Sequence, residues 1–427
     1  MPADVNVQFF SNLNNIPLGP NWGDLIRLLD KALVTGIDFS QVTAASVNEN
    51  GDLLLTFYTD HKALLFQIVE LSGFAPASLN QKYRIKGVPG TRDLILRPHQ
   101  NITQISVTTI GTAKLAPLGY EIIFRDTGDV KRVYRSKNPT NMHPFIRVDE
   151  SLSSLDGASS YNSAYAKYAV VGLLESMDHL DDFEKTDVLQ LPFYPANPKA
   201  TWNISGTGIS VSRGMSRWYY ASRNISASGA DTQTPAAGNR AFTLVGDKDA
   251  FYLLNTYTNN DPRSKKINGC GLFDSAMADG LSPNWFLMTH IPTYIGADNN
   301  VQPYSEPGGC TLTYQKEQAC FYATGYNTTN KLVAHVKAYG ILPDYRTGDS
   351  ILNLNPFMQA NMTIPFHDGN NNLRGTLKHI LYVASTSFYS YTLTTPRPAG
   401  ESMYVIDSIY NPNGYYTGVS FYLGELN

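Results

Sequence analysis

Residues 121–135 read Glu121-Ile122-Ile123-Phe124, then Arg125-Asp126-Thr127-Gly128-Asp129, then Val130-Lys131-Arg132-Val133-Tyr134-Arg135. Two runs rich in β-branched and aromatic residues flank a turn-forming Asp-Thr-Gly-Asp, the pattern of an antiparallel hairpin. The same pattern recurs outward in both directions. Upstream, Leu53–Tyr58, Leu64–Val69, Tyr83–Lys86, Asp93–Leu96 and Ile105–Thr108 follow one another with turn material between them, Pro89-Gly90 included. Spacing of roughly ten residues with such punctuation predicts a small all-β sandwich over 45–115. Downstream, Phe145–Asp149 and Lys167–Leu173 continue the series. Ala241–Val245 and Phe251–Leu254 predict a second hairpin through Gly246-Asp247-Lys248-Asp249. The aromatic, β-branched stretches Leu377–Leu393 and Met403–Leu423 predict further strands, with a turn at Asn411-Pro412-Asn413-Gly414. The expected fold is mainly β: a β-sandwich module at 45–115, a larger antiparallel β domain over 116–427 with a break near 190–200 at Pro192, Pro195 and Pro198, and an N-terminal arm and helix at 1–44.

That helix is the one place where the period changes. Leu25, Leu28, Leu29, Ala32 and Leu33 fall on one stripe, with Arg27 and Lys31 off it. Asn21 is the expected cap, Asp24 suits the first turn, and Thr35-Gly36 the stop. A short amphipathic helix of this kind packs on a sheet.

The chain has 427 residues, 12% of them aromatic and 16% charged, with a formal net charge of −3 and a pI near 6.2. About 25% charged is usual. Many aromatics and little net charge argue against disorder. The acidic balance argues against a nucleic-acid binder. Met1–Asn15 has neither a basic nor an apolar signal region, so no secretory leader is expected. The longest apolar run is Ala169–Leu174, too short to cross a membrane. Cys270, Cys310 and Cys320 form no CxxC pair and read as free thiols, a Cys310–Cys320 bridge being possible by spacing alone. The sequons at Asn101, Asn203, Asn224, Asn327 and Asn361 read as products of an Asn/Ser/Thr-rich chain.

Catalytic chemistry is hard to find. G-x-S-x-G, Walker A and strand-linked G-x-G-x-x-G motifs do not occur, and the eight histidines form no metal-ligand spacing. No catalytic, cofactor-binding or metal residues are assigned, and no cofactor is expected. His367-Asp368-Gly369-Asn370 only faintly resembles a calcium loop. Asp178, Asp181, Asp182 and Glu184 are the carboxylates close enough in sequence to serve a polysaccharide depolymerase, though such a charge run reads first as a solvated loop or short helix. Lys131, Arg132, Arg135 and Lys137 are the most basic cluster, split over both faces of a strand. Arg213, Arg217 and Arg223 lie near Trp218, Tyr219 and Tyr220, which could stack bases but read better as core or interface aromatics. The segments 222–239 and 295–310 read as long loops that reach partners.

Several of these stretches together resemble a family of tailed-bacteriophage virion structural proteins. Trp22–Ile37 is similar to the family's "LLDAxLVNGF" opening. Ala116–Phe124, Lys131–Ser136 and Ile146–Asp149 resemble its "GW…F…AVYRS…LRVDD" core. Ala169–Met177 matches its "ARVxGYExMTD" element, and Arg240–Phe242 with Phe251–Leu253 its "FYLF" hairpin. The chain departs at Tyr120 for Trp, at Leu174 for Tyr, and at Asp149-Glu150 for the paired Asp. The resemblance implies that 45–115 is an immunoglobulin-like insertion. It also implies a non-enzymatic tail tip or baseplate adaptor, made in the host bacterial cytoplasm and located in the virion tail. Its partners would be other tail and baseplate proteins in a symmetric homo-oligomer, with no nucleic acid and no membrane. A receptor-binding or tail-fibre protein recognising host surface polysaccharide, and a neck or collar protein, are the alternatives.

Overall fold

The hairpin at the centre of the sequence reading forms between Tyr120–Arg125 and Lys131–Ser136. Its turn is held by one side chain: the Asp126 carboxylate accepts from the amides of Gly128, Val130 and Lys131 at 3.1, 3.0 and 2.8 Å. The second hairpin, Phe242–Gly246 with Ala250–Thr256, uses the same device, Asp247 accepting from the amides of Asp249 and Ala250 at 2.8 and 3.0 Å. These features belong to a computed structural model that describes residues 3–155, 157–183, 185, 187–193, 201–206, 211–224, 232–277, 283–295, 301–306, 311–312, 320–325, 336–341, 360–384, 394–411 and 415–426. The fold is mainly β, with antiparallel curled sheets and one short helix. Among the described residues no helix is long and apolar enough to cross a membrane.

The helix spans Asp24–Leu29 and continues as a wider π turn over Asp30–Thr35. Leu25, Leu28, Leu29, Ala32 and Leu33 are all fully buried, as the stripe predicts, and Arg27 and Lys31 are exposed. Its end is set by Gly36, whose φ is +74°, and a Cβ there would meet the Leu115 carbonyl oxygen at 2.2 Å. Only glycine satisfies both conditions. The cap differs from expectation: Gly23, not Asn21, holds the N-cap position and has no side chain to offer.

Gly36 leads directly into the small module. Its strands are hydrogen-bonded in the order Ile37–Asp38, Thr112–Leu115, Ile68–Ser72, Lys82–Gly87, Asp93–Pro98, Leu53–Phe57, Val42–Val47. The first and last of these are consecutive in sequence, with Phe39–Gln41 between them. Laid flat, seven strands place their edges about 29 Å apart, at roughly 4.8 Å per step. The four-residue step from Asp38 to Val42 spans at most about 14 Å. The sheet is therefore strongly curled. The Phe39 amide bonds the Ala113 carbonyl at 3.0 Å on one side, and the Tyr58 amide bonds the Gln41 carbonyl at 2.9 Å on the other. The β module expected here is a curled antiparallel barrel whose two edges are bridged by the continuous segment 37–47. Its inward residues Leu53, Leu55, Tyr83, Ile85, Leu94 and Leu96 join the helix stripe in one core. Two strand limits also shift. Phe66 adopts φ +67°, so the strand expected from Leu64 starts at Ile68. Ile105–Thr108 is irregular, and Thr112–Leu115 supplies the last strand.

The six-stranded sheet runs Gln190–Leu191, Lys167–Leu174, Phe145–Asp149, Lys131–Ser136, Tyr120–Arg125, with Arg217–Ala221 also paired to Lys167–Leu174. The largest sheet has thirteen strands. It opens with Gln8–Ser11, Phe242–Gly246, Ala250–Thr256 and Lys265–Leu272, and ends with Leu373–Ala384, Tyr415–Glu425, Ser402–Asn411 and Thr395–Ala399. It too is curled. Thr243, on the second strand of that path, donates to Asp407 on the eleventh at 2.6 Å, and Lys265 pairs with the same carboxylate at 2.6 Å. Nine flat steps would separate the second and eleventh strands by about 43 Å. The segment expected as a loop at 295–310 contains Val301–Glu306, which pairs with Ile291–Ile295; residues 296–300 and 307–310 lie outside the described residues.

The N-terminal arm binds barrel to large sheet. Gln8 donates to the carbonyls of Ile68 and Ala116, both at 2.9 Å, and its strand pairs with Phe242–Gly246. Arg84, on a barrel strand and fully buried, donates to the carbonyls of Asp4, Val7, Phe66 and Leu423 at 2.8, 3.0, 2.7 and 2.9 Å. Burial pushes its guanidinium pKa down, with only Asp4 acting the other way. Arg84→Ala would leave four buried carbonyls short of a donor. It is expected to destabilise the protein by roughly 3 kcal/mol or more, read from the urea midpoint at an unchanged slope; a loss under about 1 kcal/mol contradicts this role.

Candidate functional site

Three of the stretches quoted for the resemblance, Trp22–Ile37, Lys131–Ser136 and Ile146–Asp149 with the Glu150 that follows it, meet at the two ends of the helix. Glu150, fully buried, caps the N-terminus across 124 to 127 residues of sequence: it accepts from the amide of Gly23 at 2.6 Å and of Ile26 at 3.0 Å. The Tyr220 hydroxyl donates to the same carboxylate at 2.6 Å. An anion here satisfies orphan amides and suits the helix dipole. Burial pushes the Glu150 pKa up, opposed by Tyr220 and the two amides. Where the α-helix gives way to the π turn, Asp30 accepts from the Tyr134 hydroxyl at 2.7 Å and from Arg132 at 3.2 Å. The helix is thus pinned twice to the six-stranded sheet.

Beside this lies a stack of arginines and rings. The Arg147 guanidinium sits 4.7 Å from the Phe183 ring and 4.5 Å from Trp202. Arg213 lies 4.6 Å from Tyr168 and 5.1 Å from Trp22, and Arg217 4.8 Å from Tyr168. Cation–π contacts of this kind strengthen when desolvated, and these three arginines are about 1% exposed. Trp218, Tyr219 and Tyr220 are fully buried, so they stack within the core and present no face to a base. The cluster of Lys131, Arg132, Arg135 and Lys137 divides as its alternation predicts: Arg132 turns inward to Asp30, while Lys137 is exposed.

The carboxylates of the acidic run are tied to cations. Asp181 accepts from Lys131 at 3.0 Å and Arg147 at 2.7 Å. Asp182, buried, pairs with Lys185 at 2.7 Å, and Asp178, exposed, at 2.5 Å. Burial pulls the Asp182 pKa up, but Lys185 and the Asp178 amide outweigh it and hold it below its ordinary value. A glycosidase acid needs the opposite shift. Glu184 and part of 222–239 lie outside the described residues. Among the described residues the run forms no helix and is not wholly solvated, since Met177, Asp182 and Phe183 are buried. At the calcium-like stretch, Asp368 spends its oxygens on its own turn, accepting from the amides of Asn370 and Asn372 at 2.9 and 3.0 Å. Cys270 is a buried free thiol and Cys320 is buried; Cys310 lies outside the described residues.

Two features were invisible in sequence. One is a polar groove of about 590 Å³ where the N-terminal arm meets the large sheet, lined among others by Asn12, Asn15, Asn239, Thr258 and Asn259. Arg240 also lines it, but donates to the carbonyls of Ala236, Gly238 and Tyr257 at 2.8, 2.5 and 3.4 Å. The groove therefore offers mostly neutral amides and hydroxyls. The other is Asp249, at the tip of the second hairpin. It lies 3.0 Å from His143 Nε2 and accepts from Lys248 and Lys378 at 3.0 and 2.9 Å, tying the tip to the six-stranded sheet's loop and to Leu373–Ala384. Only the long-range partners His143 and Lys378 give this aspartate its role, and no local motif signals it. Compared with known proteins, the chain matches no family model and no curated protein.

The hydrogen bond with His143, together with Lys378 and Lys248, holds the Asp249 carboxyl far below its ordinary range despite partial burial. A depressed folded-state pKa contributes stability above the unfolded value, near 3.9, that is lost as pH falls below it. Asp249→Asn is therefore expected to destabilise clearly at pH 7 and at pH 5. The gap from the wild type should shrink toward pH 2–3 in urea titrations, and a gap independent of pH would count against this.

Proposed function

We propose that this chain is a structural component of a tailed-phage virion, a tail tip or baseplate adaptor that docks tail core proteins and supports fibres. The observation that supports it is convergence. The helix, the Lys131–Ser136 and Phe145–Asp149 strands, the Lys167–Leu174 strand and the 242–256 hairpin contribute Leu25, Tyr134, Val148, Val171, Leu244 and Leu253 to one core. The stretches that resemble the family thus share one core with the barrel, joined by Glu150 and Asp30.

Such a protein acts by contact geometry. A rigid base would hold the barrel outward, and among the described residues the barrel region carries the most exposed large apolar side chains, Tyr58 at 67% and Ile105 at 69%, with Ile110 and Val88 less so. Side chains of this type suit a docking surface shared with neighbouring copies or tail proteins. The neutral polar groove favours a second reading, a receptor-binding subunit that recognises host surface polysaccharide, since amides and hydroxyls match the donor–acceptor pairs of sugars.

Electron cryomicroscopy of purified particles carrying this chain separates these readings. The adaptor is expected as a symmetric set of copies at the tail end; absence from the particle, or a place only at the distal tip, overturns it. The double variant Tyr58→Ser, Ile105→Ser should fold with stability within about 1 kcal/mol of wild type. It should enter particles at least tenfold less well, and undiminished incorporation would remove the barrel surface from the proposal.

A further inference from the structure

Independently of any role in a virion, the turn that joins two barrel strands presents a reactive pair of residues. The sequence holds three Asn-Gly pairs, at 50–51, 268–269 and 413–414, the last outside the described residues. The fold treats the other two in opposite ways. Asn268 is fully buried, its Nδ2 donates to Asn255 Oδ1 at 3.2 Å, and Gly269 is paired on both sides, with Tyr252 and Met288. Asn50 is exposed at the tip of the turn between Val42–Val47 and Leu53–Phe57. Among the described residues its carboxamide has no hydrogen-bond partner. Gly51 has a φ of +75°, and a Cβ built on it would meet no atom within 4 Å.

An asparagine followed by glycine carries its own electrophile and nucleophile. The Gly51 nitrogen loses its proton and attacks Asn50 Cγ. The N–Cγ bond forms, the Cγ–Nδ2 bond breaks, and ammonia leaves a five-membered succinimide. Solvent water then opens the ring. Addition at Cγ gives aspartate, and addition at the main-chain carbon gives isoaspartate. One water is consumed and one ammonia released, and nothing is oxidised or reduced. Glycine suits the step because no Cβ crowds the attacking nitrogen. The turn supplies a brake. The Gly51 amide donates to the Asn48 carbonyl at 3.0 Å, and Asn48 Oδ1 accepts from the amides of Asn50 and Asp52 at 3.0 and 2.9 Å. These bonds sit at a surface turn, so they open locally, without the larger unfolding that Gly269 requires.

We propose that Asn50 is a self-modification site of the folded protein, converting to aspartate and isoaspartate at a rate set by the hold of Asn48 on the turn. The change would reach the core. It adds a carboxylate to a residue whose carbonyl already accepts from Arg97 Nη1 at 3.2 Å, the same nitrogen that pairs with Asp52 at 3.1 Å. Isoaspartate also lengthens the main chain of a turn that leads into Leu53, which is fully buried and in register with Val47. The Val42–Val47 strand is thereby loosened from its partner.

The test uses the full chain, held folded at pH 8 and, in parallel, unfolded in guanidinium chloride. Conversion at each position is read by peptide mapping and mass spectrometry. In the unfolded chain Asn50 and Asn268 should convert at comparable rates. In the folded chain Asn50 should convert at least about tenfold faster than Asn268, and more slowly at pH 5, where the attacking nitrogen keeps its proton. An Asn50 that stays intact in the folded chain while it converts in the unfolded one overturns the site. Asn48→Ala frees two amides of the turn and should raise the folded-state rate at Asn50 by about threefold or more; an unchanged rate removes Asn48 as the brake. If that variant does not fold, the comparison of Asn50 with Asn268 in the wild type decides alone.

Discussion

The buried carboxylate of Glu150 is the constraint on which the arrangement of the three sheets depends. The helix it caps is only six α-helical residues long and brings no side-chain cap of its own. So short a helix is not stable in isolation. Charge-assisted hydrogen bonds of this kind contribute about 1.5–3 kcal/mol each, and Tyr220 orients the carboxylate from a third strand. Because Gly36 passes straight from the helix into the barrel, whatever fixes the helix also fixes the barrel against the six-stranded sheet.

Buried arginines do the remaining long-range work. The chain is poor in charge, yet Arg84, Arg132, Arg147, Arg213, Arg217, Arg240 and Arg374 are among its most buried large side chains. Most of their donors go to backbone carbonyls, several of them at loops and strand ends where a ladder cannot satisfy them. A planar fork with five donors reaches several such oxygens at once. Arg84 does so for segments more than 300 residues apart in sequence. The low charged fraction of this sequence therefore understates how much of its charge is structural.

What the sequence made legible was local. The helix stripe at Leu25–Leu33 and the aspartate-led turns at Asp126 and Asp247 depend on neighbours within a few residues, and all three form as read. The curl of the barrel was hidden, because it depends on how few residues separate Asp38 from Val42 once strands far downstream have paired. Phe66 was read as part of a strand because its apolar character suits one; its backbone is left-handed instead, with its amide bonded to the Ile85 carbonyl and its carbonyl to Arg84. Glu150 looked like the end of a strand motif, and nothing within a hundred residues reveals that it caps a helix. The same holds for Arg147, Phe183 and Trp202, which only three-dimensional packing stacks together.

The edge strand Gln8–Ser11 has a consequence for the order in which the protein comes together. Its partner begins at Phe242, and Gln8 faces Gly246, 238 residues later. Ribosomes add roughly 5–20 residues per second, so about 12–48 s pass between synthesis of the strand and of its partner. All the barrel strands are made within the first half of that interval and can pair locally. Phe9 and Phe10, fully buried at the end, spend the wait without the large sheet that covers them. Gln8–Ser11 is thus made before the barrel but takes its place in the large sheet only after Phe242–Gly246 has followed it.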